Sequence, residues 1–392
     1  MNSGYDLVCL SHLRWDFVFQ RPQHLLSRCA RDRRVFFVEE PLFGSGARRV
    51  ELRSSKEGVQ VAVPHLEDGC RDPELAQAEL LRQLFSREGI QDYVLWYYTP
   101  MALAFSRELA PLAIVYDCMD QLSAFKNAPA SLADYERQLI ASADLVFTGG
   151  ASLFDAKKSL HPQTYLFPSS VDAAHFGKAR APQAEPEDQR QIPHPRLGFF
   201  GVVDERMDLE LLAGVAAARP DYQLVVVGPV VKISEGDLPR APNLHYLGSK
   251  SYAELPSYIS GWDVALLPFA RNASTEFISP TKTPEYLAAG KPVVSTSIRD
   301  VVRTFHGLGL VHVADTVAEF VSACDAALRE PQASRLIKAD AYLSHISWDK
   351  TWRDMQALID AAVQQREQRA SGVLESPSQA NNARFSTASG EK

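Results

Sequence analysis

The sequence predicts an α/β protein built from two doubly wound domains that face each other across a cleft. Short runs that are apolar on both faces recur along the chain, and amphipathic helical patterns lie between them. The alternation is interrupted once, by a segment rich in proline, glutamine and charge at 177–195, and then restarts. Strands of this kind, separated by helices, form largely parallel sheets that are covered on both faces.

Twelve runs have the length and composition of buried strands. Six precede the interruption and six follow it, at 6–12, 34–41, 59–65, 93–100, 112–120, 144–150, 196–203, 222–230, 244–248, 262–269, 291–296 and 310–315. Helical patterns such as SLADYERQLIASA fill the intervals. Open α/β sheets bind ligands beyond the carboxyl ends of their strands, so the cleft between the two domains is the predicted site.

The composition changes set the predicted boundaries. Residues 1–176 are expected to form the N-terminal domain, 177–195 an interdomain linker and hinge, and 196–345 the C-terminal domain. A long helical pattern at 346–370 is expected to cross back to the N-terminal domain. Residues 371–392, rich in serine, asparagine and glutamine, are expected to be a disordered tail.

Composition narrows the classes of function. With 392 residues, 46% of them hydrophobic and 23% charged, the chain has room for two globular cores. Its five cysteines show no metal-ligand spacing, which indicates a reducing cytoplasm and no structural zinc. The net charge of −7 argues against nucleic acid as a partner. An N-terminal signal peptide and an apolar stretch of about 18 residues are both lacking, so we expect a cytoplasmic protein that does not span a membrane.

One local asymmetry runs against the negative average. Residues 1–60 hold 10 lysines and arginines against 7 acidic residues, and Trp15, Phe17 and Phe19 lie among these basic residues. Such aromatic residues belong either to the core or to a surface that meets an anionic membrane. The second interpretation predicts a peripheral contact with the cytoplasmic face of the inner membrane.

The most informative stretch is EFISPTKTPEYLAAGKPVV, residues 276–294. Pro284 requires a helix that begins between about 279 and 283, and Gly290 supplies its left-handed end. Lys282 then lies in or before the first turn, where a cation opposes the helix dipole unless an anion such as phosphate binds there. Glu285 lies on the same face and can accept hydrogen bonds from ribose hydroxyls, so the pair indicates a nucleotide. Alternatively, Lys282 is a solvated lysine and Glu285 an ordinary first-turn acid.

Three further groups are candidates. Asp117 and Asp120 follow a buried strand of the first domain, where a carboxylate faces the cleft as a general base or caps a helix. His12 and Arg21 follow the first strand and are candidates for the base and for sugar binding, or for structural hydrogen bonds. Gly149 and Gly150 precede a helix, which gives a nonspecific anion site.

The run SPTKTPEYLAAGKPVVST resembles the nucleotide-sugar segment of glycosyltransferases with the GT-B fold, which consists of two Rossmann-like domains facing across a cleft. The resemblance covers most of the chain, and extends to bacterial transferases of the teichuronic-acid and cell-surface polysaccharide type, related to the group 1 transferases. It rests also on SHLRWDFVFQRPQHLLSR, VYDCMDQLSAF, FPSSVDAAHF and FFGVVDERMDLELL.

This resemblance implies roles for the donor-site residues. Glu285 is expected at the ribose, and Lys282 with Arg206 at the diphosphate, unless acidic neighbours such as Asp204 hold Arg206 in an ion pair. Many retaining enzymes of this fold carry a second glutamate eight residues before the ribose glutamate. Here Glu276 stands nine residues before Glu285 and Phe277 eight, which leaves a retaining mechanism in doubt, with Glu276 a candidate at the sugar.

For the acceptor side, the resemblance implies that Asp120 stands where an inverting GT-B glucuronosyltransferase has its general base; His12 is the alternative. Asp117 and Arg21 are further candidates for donor or acceptor sugar binding.

The expected function is transfer of a sugar from a UDP- or GDP-linked donor to a cell-surface glycan or polyprenyl-linked acceptor, with no metal and no other cofactor. The alternatives are a non-hydrolysing nucleotide-sugar epimerase and a non-catalytic nucleotide-sugar-binding component of a polysaccharide assembly complex.

Overall fold

A computed structural model describes residues 4–370 and contains two sheets. The strands of the N-terminal sheet are β1 (Asp6–Leu10), β2 (Val35–Val38), β3 (Leu42–Gly44), β4 (Arg49–Ser54), β5 (Gln60–Glu67), β6 (Tyr93–Tyr97), β7 (Ala113–Cys118), β8 (Leu145–Thr148) and β9 (Thr164–Leu166). Their order is β3-β5-β2-β1-β6-β7-β8-β9, and β4 pairs with β5 as an antiparallel hairpin. All other pairings in this sheet are parallel.

The C-terminal sheet is parallel throughout. Its strands are β10 (Arg196–Phe200), β11 (Gln223–Val227), β12 (Leu244–Tyr246), β13 (Val264–Leu267), β14 (Val293–Ser295) and β15 (His312–Val313). They lie in the order β12-β11-β10-β13-β14-β15, the strand order of a doubly wound Rossmann-like sheet.

Helices cover both sheets. They are α1 (Arg21–Cys29), α2 (Pro73–Glu88), α3 (Leu103–Ser106), α4 (Leu132–Ser142), α5 (Ala151–Lys157), α6 (Ala173–Gly177), α7 (Glu187–Arg190), α8 (Leu209–Ala218), α9 (Leu255–Ser260), α10 (Lys282–Ala288), α11 (Arg299–Val301), α12 (Val317–Arg329), α13 (Gln332–Leu343) and α14 (Trp348–Ala370). Two buried clusters cover the faces of the first sheet, and one large cluster forms the core of the second domain.

Each of the twelve predicted strand ranges overlaps an observed strand, and the doubly wound α/β class is confirmed. The sequence analysis missed β3, β4 and β9. Strands β3 and β9 have three residues each, too few to show a period. The hairpin strand β4 alternates exposed and half-buried residues and carries arginines, so it lacks the apolar run of a buried strand.

The predicted linker at 177–195 is wrong, because this segment packs into the C-terminal domain. Gln189 is fully buried; its amide donates to the Tyr258 carbonyl at 2.9 Å and accepts from the Trp262 indole at 2.9 Å. Phe167 packs on the N-terminal core, whereas Val171 already belongs to the C-terminal core. The chain therefore changes domain between these two residues, and the N-terminal domain ends about nine residues earlier than predicted.

The last described helix returns to the first domain. Trp348, Trp352, Met355 and Ile359 of α14 belong to the same buried cluster as the strands of the N-terminal sheet. The polypeptide consequently crosses between the domains twice, at 168–170 and next to Trp348. The predicted disordered tail at 371–392 lies outside the described residues.

The basic N-terminal segment is largely neutralised within the fold. Arg28 and Arg31 both pair with Asp349 of α14, at 2.9 and 3.1 Å, and Arg34 pairs with Asp6 at 2.5 Å. Of the three aromatic residues predicted as a membrane-facing group, Trp15 is buried, Phe19 stacks on Tyr252, and only Phe17 is exposed, at 49%.

Candidate active site between the domains

A cleft of about 590 Å³ lies between the two domains, beyond the carboxyl ends of both sheets. The N-terminal domain contributes the loop after β1, the turn of the β4–β5 hairpin, and Asp120. The C-terminal domain contributes the loops after β10 and β11 together with the segment 278–282 and Glu285. Side chains from both domains therefore face the same space.

Lys282 is the first residue of α10, within the range predicted for the helix start. Its ammonium lies 5.6 and 5.9 Å from the ring centroids of Phe199 and Phe200. Gly201, at φ +136°, makes room for it, since a Cβ there would overlap Lys282 Cε. Within residues 4–370 the ammonium has no hydrogen-bond partner and no carboxylate within 4.0 Å. Burial lowers the pKa of Lys282, and the nearby Glu285 carboxylate opposes that shift.

Glu285 follows three residues later in α10 and is 7% exposed. Its Oε2 atom is buried without a hydrogen-bond partner in the described chain. Burial raises the pKa of Glu285 to about 8, against the opposing charge of Lys282. The hydroxyl of Tyr252, which also lines the cleft, is buried and unpartnered as well. Such groups are costly unless a ligand satisfies them, so this part of the cleft is suited to a ligand rich in hydroxyl groups.

Arg206 lines the cleft but is already paired. Its guanidinium contacts both oxygens of Asp204, with Nη2 at 2.7 Å from Oδ2 and Nε at 3.0 Å from Oδ1. The ion-pair alternative considered for Arg206 is thus the one observed. A phosphate would add to this pair rather than meet a free cation.

The sequence analysis missed two residues beside Arg206. They are Phe125 of the N-terminal domain and Lys232 of the C-terminal domain. The ring centroid of Phe125 lies 5.4 Å from the Arg206 guanidinium carbon and 4.5 Å from the Lys232 ammonium nitrogen. The only sequence signal for Lys232 is its position shortly after a buried strand, which many surface lysines share. The aromatic ring bridges the domains by cation–π contacts.

The Asp120 carboxylate of the N-terminal domain lies near the cationic groups of the C-terminal domain. It lines the cleft, and burial raises its pKa while Arg206, Lys282 and Lys232 oppose the shift. A carboxylate that faces cations across a cleft can accept a proton from a substrate hydroxyl.

His12 differs from Asp120. Burial, together with the charge of Lys232, lowers the pKa of His12 to about 4, so its imidazole is neutral at pH 7. Its Nδ1 atom is buried without a partner among residues 4–370. His12 does not belong to the residues that line the cleft in the described chain. Of the two candidates for the base, Asp120 lines the cleft in the described chain and His12 does not.

Three residues predicted as sugar-binding candidates lie outside the cleft lining in the described chain. Arg21 and Asp117 form a buried ion pair, with Nη2 at 2.8 Å from Oδ1 and Nε at 2.9 Å from Oδ2, and both side chains are at most 1% exposed. They satisfy each other inside the N-terminal domain. Glu276 points to solvent and lies outside the cleft lining, while its neighbour Phe277 packs against the N-terminal core.

The anion site suggested by Gly149 and Gly150 is filled by the protein itself. Asp300 of the C-terminal domain accepts hydrogen bonds from the N–H and hydroxyl groups of Ser152, in the first turn of α5. Among residues 4–370 no group of three or more potential metal ligands occurs, and no described helix has the length and apolarity needed to cross a membrane.

Solved structures share this two-domain arrangement over nearly the whole chain. A sucrose-phosphate synthase from Thermosynechococcus elongatus superposes with a TM-score of 0.72 at 14% identity, covering 91% of this chain and 98% of that one. The protein has the GT-B fold. An E. coli trehalose-6-phosphate structure with bound UDP-2-fluoro glucose gives a TM-score of 0.67 at 14% identity, over 92% and 99% of the chains. An Anabaena protein, HepE, in complex with UDP and glucose gives 0.63 at 15% identity, over 90% and 99%.

The sequence comparisons agree with the GT-B fold. Residues 194–330 match the family model described as glycosyl transferases group 1. The teichuronic acid biosynthesis glycosyltransferase TuaH of Bacillus subtilis is 26% identical over 255 residues, which is 60% of this chain. The match spans 63% of that relative's length. The resemblance predicted from the sequence is thereby confirmed.

Proposed function

We propose that this protein is a glycosyltransferase that uses a nucleotide-diphosphate sugar as its donor. The observation that carries the proposal is the unpaired Lys282 ammonium beside the unpartnered Glu285 carboxylate, both in the interdomain cleft. The ammonium is suited to a phosphate oxygen and the carboxylate to two ribose hydroxyls. Both needs are met by one nucleotide, with UDP and GDP as the candidate carriers.

In the proposed reaction, an acceptor hydroxyl oxygen attacks the anomeric carbon of the donor sugar. The bond between that carbon and the diphosphate oxygen breaks, and the nucleoside diphosphate leaves with the bonding electrons. Lys282 and Arg206 stabilise the charge that develops on the leaving group, and neither requires a metal cofactor for this role. Asp120 takes the proton of the acceptor hydroxyl. Attack opposite the leaving group inverts the anomeric configuration.

The acceptor and location belong to the same proposal. The similarity to TuaH favours a cell-surface glycan or its polyprenyl-linked precursor as the acceptor. The free cysteines of the described chain and a nucleotide-sugar donor support a cytoplasmic location for the proposed reaction. Two exposed residues that line the cleft support a peripheral contact with the inner membrane face. They are Phe17 and Lys56, the latter in the turn of the β4–β5 hairpin.

Calorimetric titration tests the donor site. We expect wild-type protein to bind UDP or GDP, and Glu285→Ala to lose at least about tenfold in affinity, since the ribose hydroxyls lose their acceptor. Glu276→Ala, at an exposed position in the segment that precedes α10, is the matched control and should bind as wild type. Absence of nucleotide binding, or equal affinity in Glu285→Ala, contradicts the proposal.

Turnover tests the base. Asp120→Asn should keep nucleotide affinity and lose about 100-fold or more in transfer rate, the scale of general-base catalysis. NMR of the product should show an inverted anomeric centre. A retained configuration would refute the role given to Asp120. Conversion of the donor without any acceptor would instead identify an epimerase.

A further inference from the structure

A second cavity, of about 300 Å³, lies in the N-terminal domain outside the cleft already described. Ser11, Glu39 and Thr99 line it, and they follow β1, β2 and β6 respectively. Strand β1 has β2 on one side and β6 on the other, so the direction of winding reverses there. In open α/β sheets, the crevice beyond the carboxyl ends at this reversal is the place where ligands bind.

The polar lining of this cavity is acidic and accepts hydrogen bonds. Neither a lysine, an arginine nor a histidine lines it in the described chain, and the neighbouring Arg14 is already bound by the Glu39 carboxylate and the Glu40 carbonyl. The carboxylates of Glu40 and Glu74 have no hydrogen-bond or ion-pair partner within residues 4–370. Ionised carboxylates only accept hydrogen bonds, so a complementary ligand must donate them. A phosphate, a nucleotide or a uronic acid would instead meet like charge.

The remaining lining is aromatic and apolar. Phe43 of β3, which is 54% exposed, lines the cavity together with Met101 and Phe105. An exposed ring beside free carboxylates matches a sugar, which presents C–H groups on one face and hydroxyl donors at its edge. Exposed aromatic side chains of this kind commonly mark binding sites.

This cavity lies next to the interdomain cleft. Glu39 lines the cavity and accepts a hydrogen bond from the Trp15 N–H at 2.8 Å. It also pairs with Arg14 at 3.0 Å and lies 3.8 Å from Arg53. Trp15 and Arg53 line the cleft on the other side. Glu39 of the second cavity therefore contacts residues that line the cleft, which makes the two cavities neighbours.

We propose that the second cavity binds an internal, non-anionic sugar of the acceptor glycan while the acceptor's terminal sugar occupies the cleft. This inference rests on the proposed glycosyltransferase function. It assigns the acceptor to oligosaccharides whose recognised internal unit carries hydroxyl or amide groups and no carboxylate or phosphate. Recognition by such a site makes transfer depend on acceptor length.

Ligand-observed NMR without donor tests the site directly, with maltotriose and the N-acetylglucosamine trisaccharide as neutral probes and glucuronic acid as the anionic one. We expect at least one neutral probe to bind, and Phe43→Ala and Glu74→Ala to weaken its binding threefold or more. The matched controls are Leu42→Ala and Leu75→Ala, which alter the neighbouring exposed residues outside the cavity lining.

The same samples are titrated with UDP and GDP, which separates the two proposals. No effect of Phe43→Ala on neutral-sugar binding, no binding of either neutral probe, or equal binding of glucuronic acid overturns the cavity assignment while nucleotide affinity stays intact. Loss of nucleotide binding in the wild-type protein overturns the donor proposal instead. Glucosamine binding without any neutral-sugar binding would show a cation site and also overturn the assignment.

Discussion

Asp300 and Ser152 join the two domains through a buried contact. The Asp300 carboxylate accepts hydrogen bonds from the Ser152 N–H at 3.0 Å and hydroxyl at 2.5 Å, and both residues are at most 2% exposed. A Cβ at the adjacent Gly150 would overlap Asp300 and lie 2.7 Å from Ser279 Cβ. Because Ser279 lines the cleft, this close approach helps to set the cleft's width.

Gly150→Ala should therefore open the cleft without touching a bound donor. We expect nucleotide affinity to fall about tenfold because a steric overlap of this size forces the domains apart. Calorimetry measures the affinity, and small-angle scattering should show a larger radius of gyration. Gly177→Ala, where a Cβ meets nothing within 4 Å, is the control. Wild-type affinity in Gly150→Ala would show that the contact does not control the cleft.

Gly201 should affect nucleotide binding through the position of the Lys282 side chain. A methyl group at Gly201 displaces the lysine side chain and is also strained at φ +136°. We expect Gly201→Ala and Lys282→Ala to lose similar affinity for UDP, tenfold or more, and little for uridine, which carries no phosphate. Titrations with both ligands provide the comparison, and Gly307→Ala, in open space, is the control. Equal losses for UDP and uridine would mean that Lys282 does not bind the phosphates.

Glu285 should make the stability of the free protein fall with rising pH. Burial raises its pKa from 4.5 to about 8, so between these values the folded state holds a proton that the unfolded state has released. Stability then declines as pH rises through that window. Glu285→Gln removes the titration, and its advantage over wild type should grow from pH 5 to pH 8 by on the order of 1 kcal/mol or more. Urea unfolding at each pH measures this.

The control for the pH series is Glu276→Gln, which changes an exposed carboxyl in the same region and should run parallel to wild type. A Glu285→Gln curve that is also parallel to wild type would rule out a buried, proton-holding Glu285.

The Arg21–Asp117 pair should matter for folding rather than for substrate binding. Removing one partner leaves the other as an uncompensated buried charge, which costs about 3–5 kcal/mol. Arg21→Met and Asp117→Leu should each lower the free energy of unfolding by that amount, and the double variant should cost less than the sum of the two single changes. Urea unfolding tests all three. Loss of activity at unchanged stability would restore a substrate role.

Local features of the sequence predicted a large part of the fold. Strands show as short apolar runs, and Lys282 and Glu285 lie on one face because residues three apart in a helix are neighbours. The end of α10 was also predicted locally, because glycine favours the left-handed conformation that ends many helices, and Gly290 adopts a φ of +74°. These features needed no knowledge of distant parts of the chain.

Longer-range partners escaped prediction. Arg21 and Asp117 are 96 residues apart in sequence, and the two looked like independent cleft residues until the fold paired them. The predicted anion site at Gly150 is occupied by Asp300, which accepts a hydrogen bond from Ser152 and is 148 residues away from it in sequence. Gln189 stands in a polar stretch that resembles a linker, yet two hydrogen bonds satisfy its amide inside the C-terminal core.

The sequence by itself determined the α/β class, the two sheets, and the lysine and glutamate at the start of one short helix, because periodicity and helix geometry are local. Only the tertiary structure decided which charges are free. It neutralised Arg21 with Asp117 and Arg206 with Asp204, and left Lys282 without a carboxylate partner in the described chain. Charge pairing depends on distances of a few ångströms between segments that meet only after folding, and no local pattern encodes those distances.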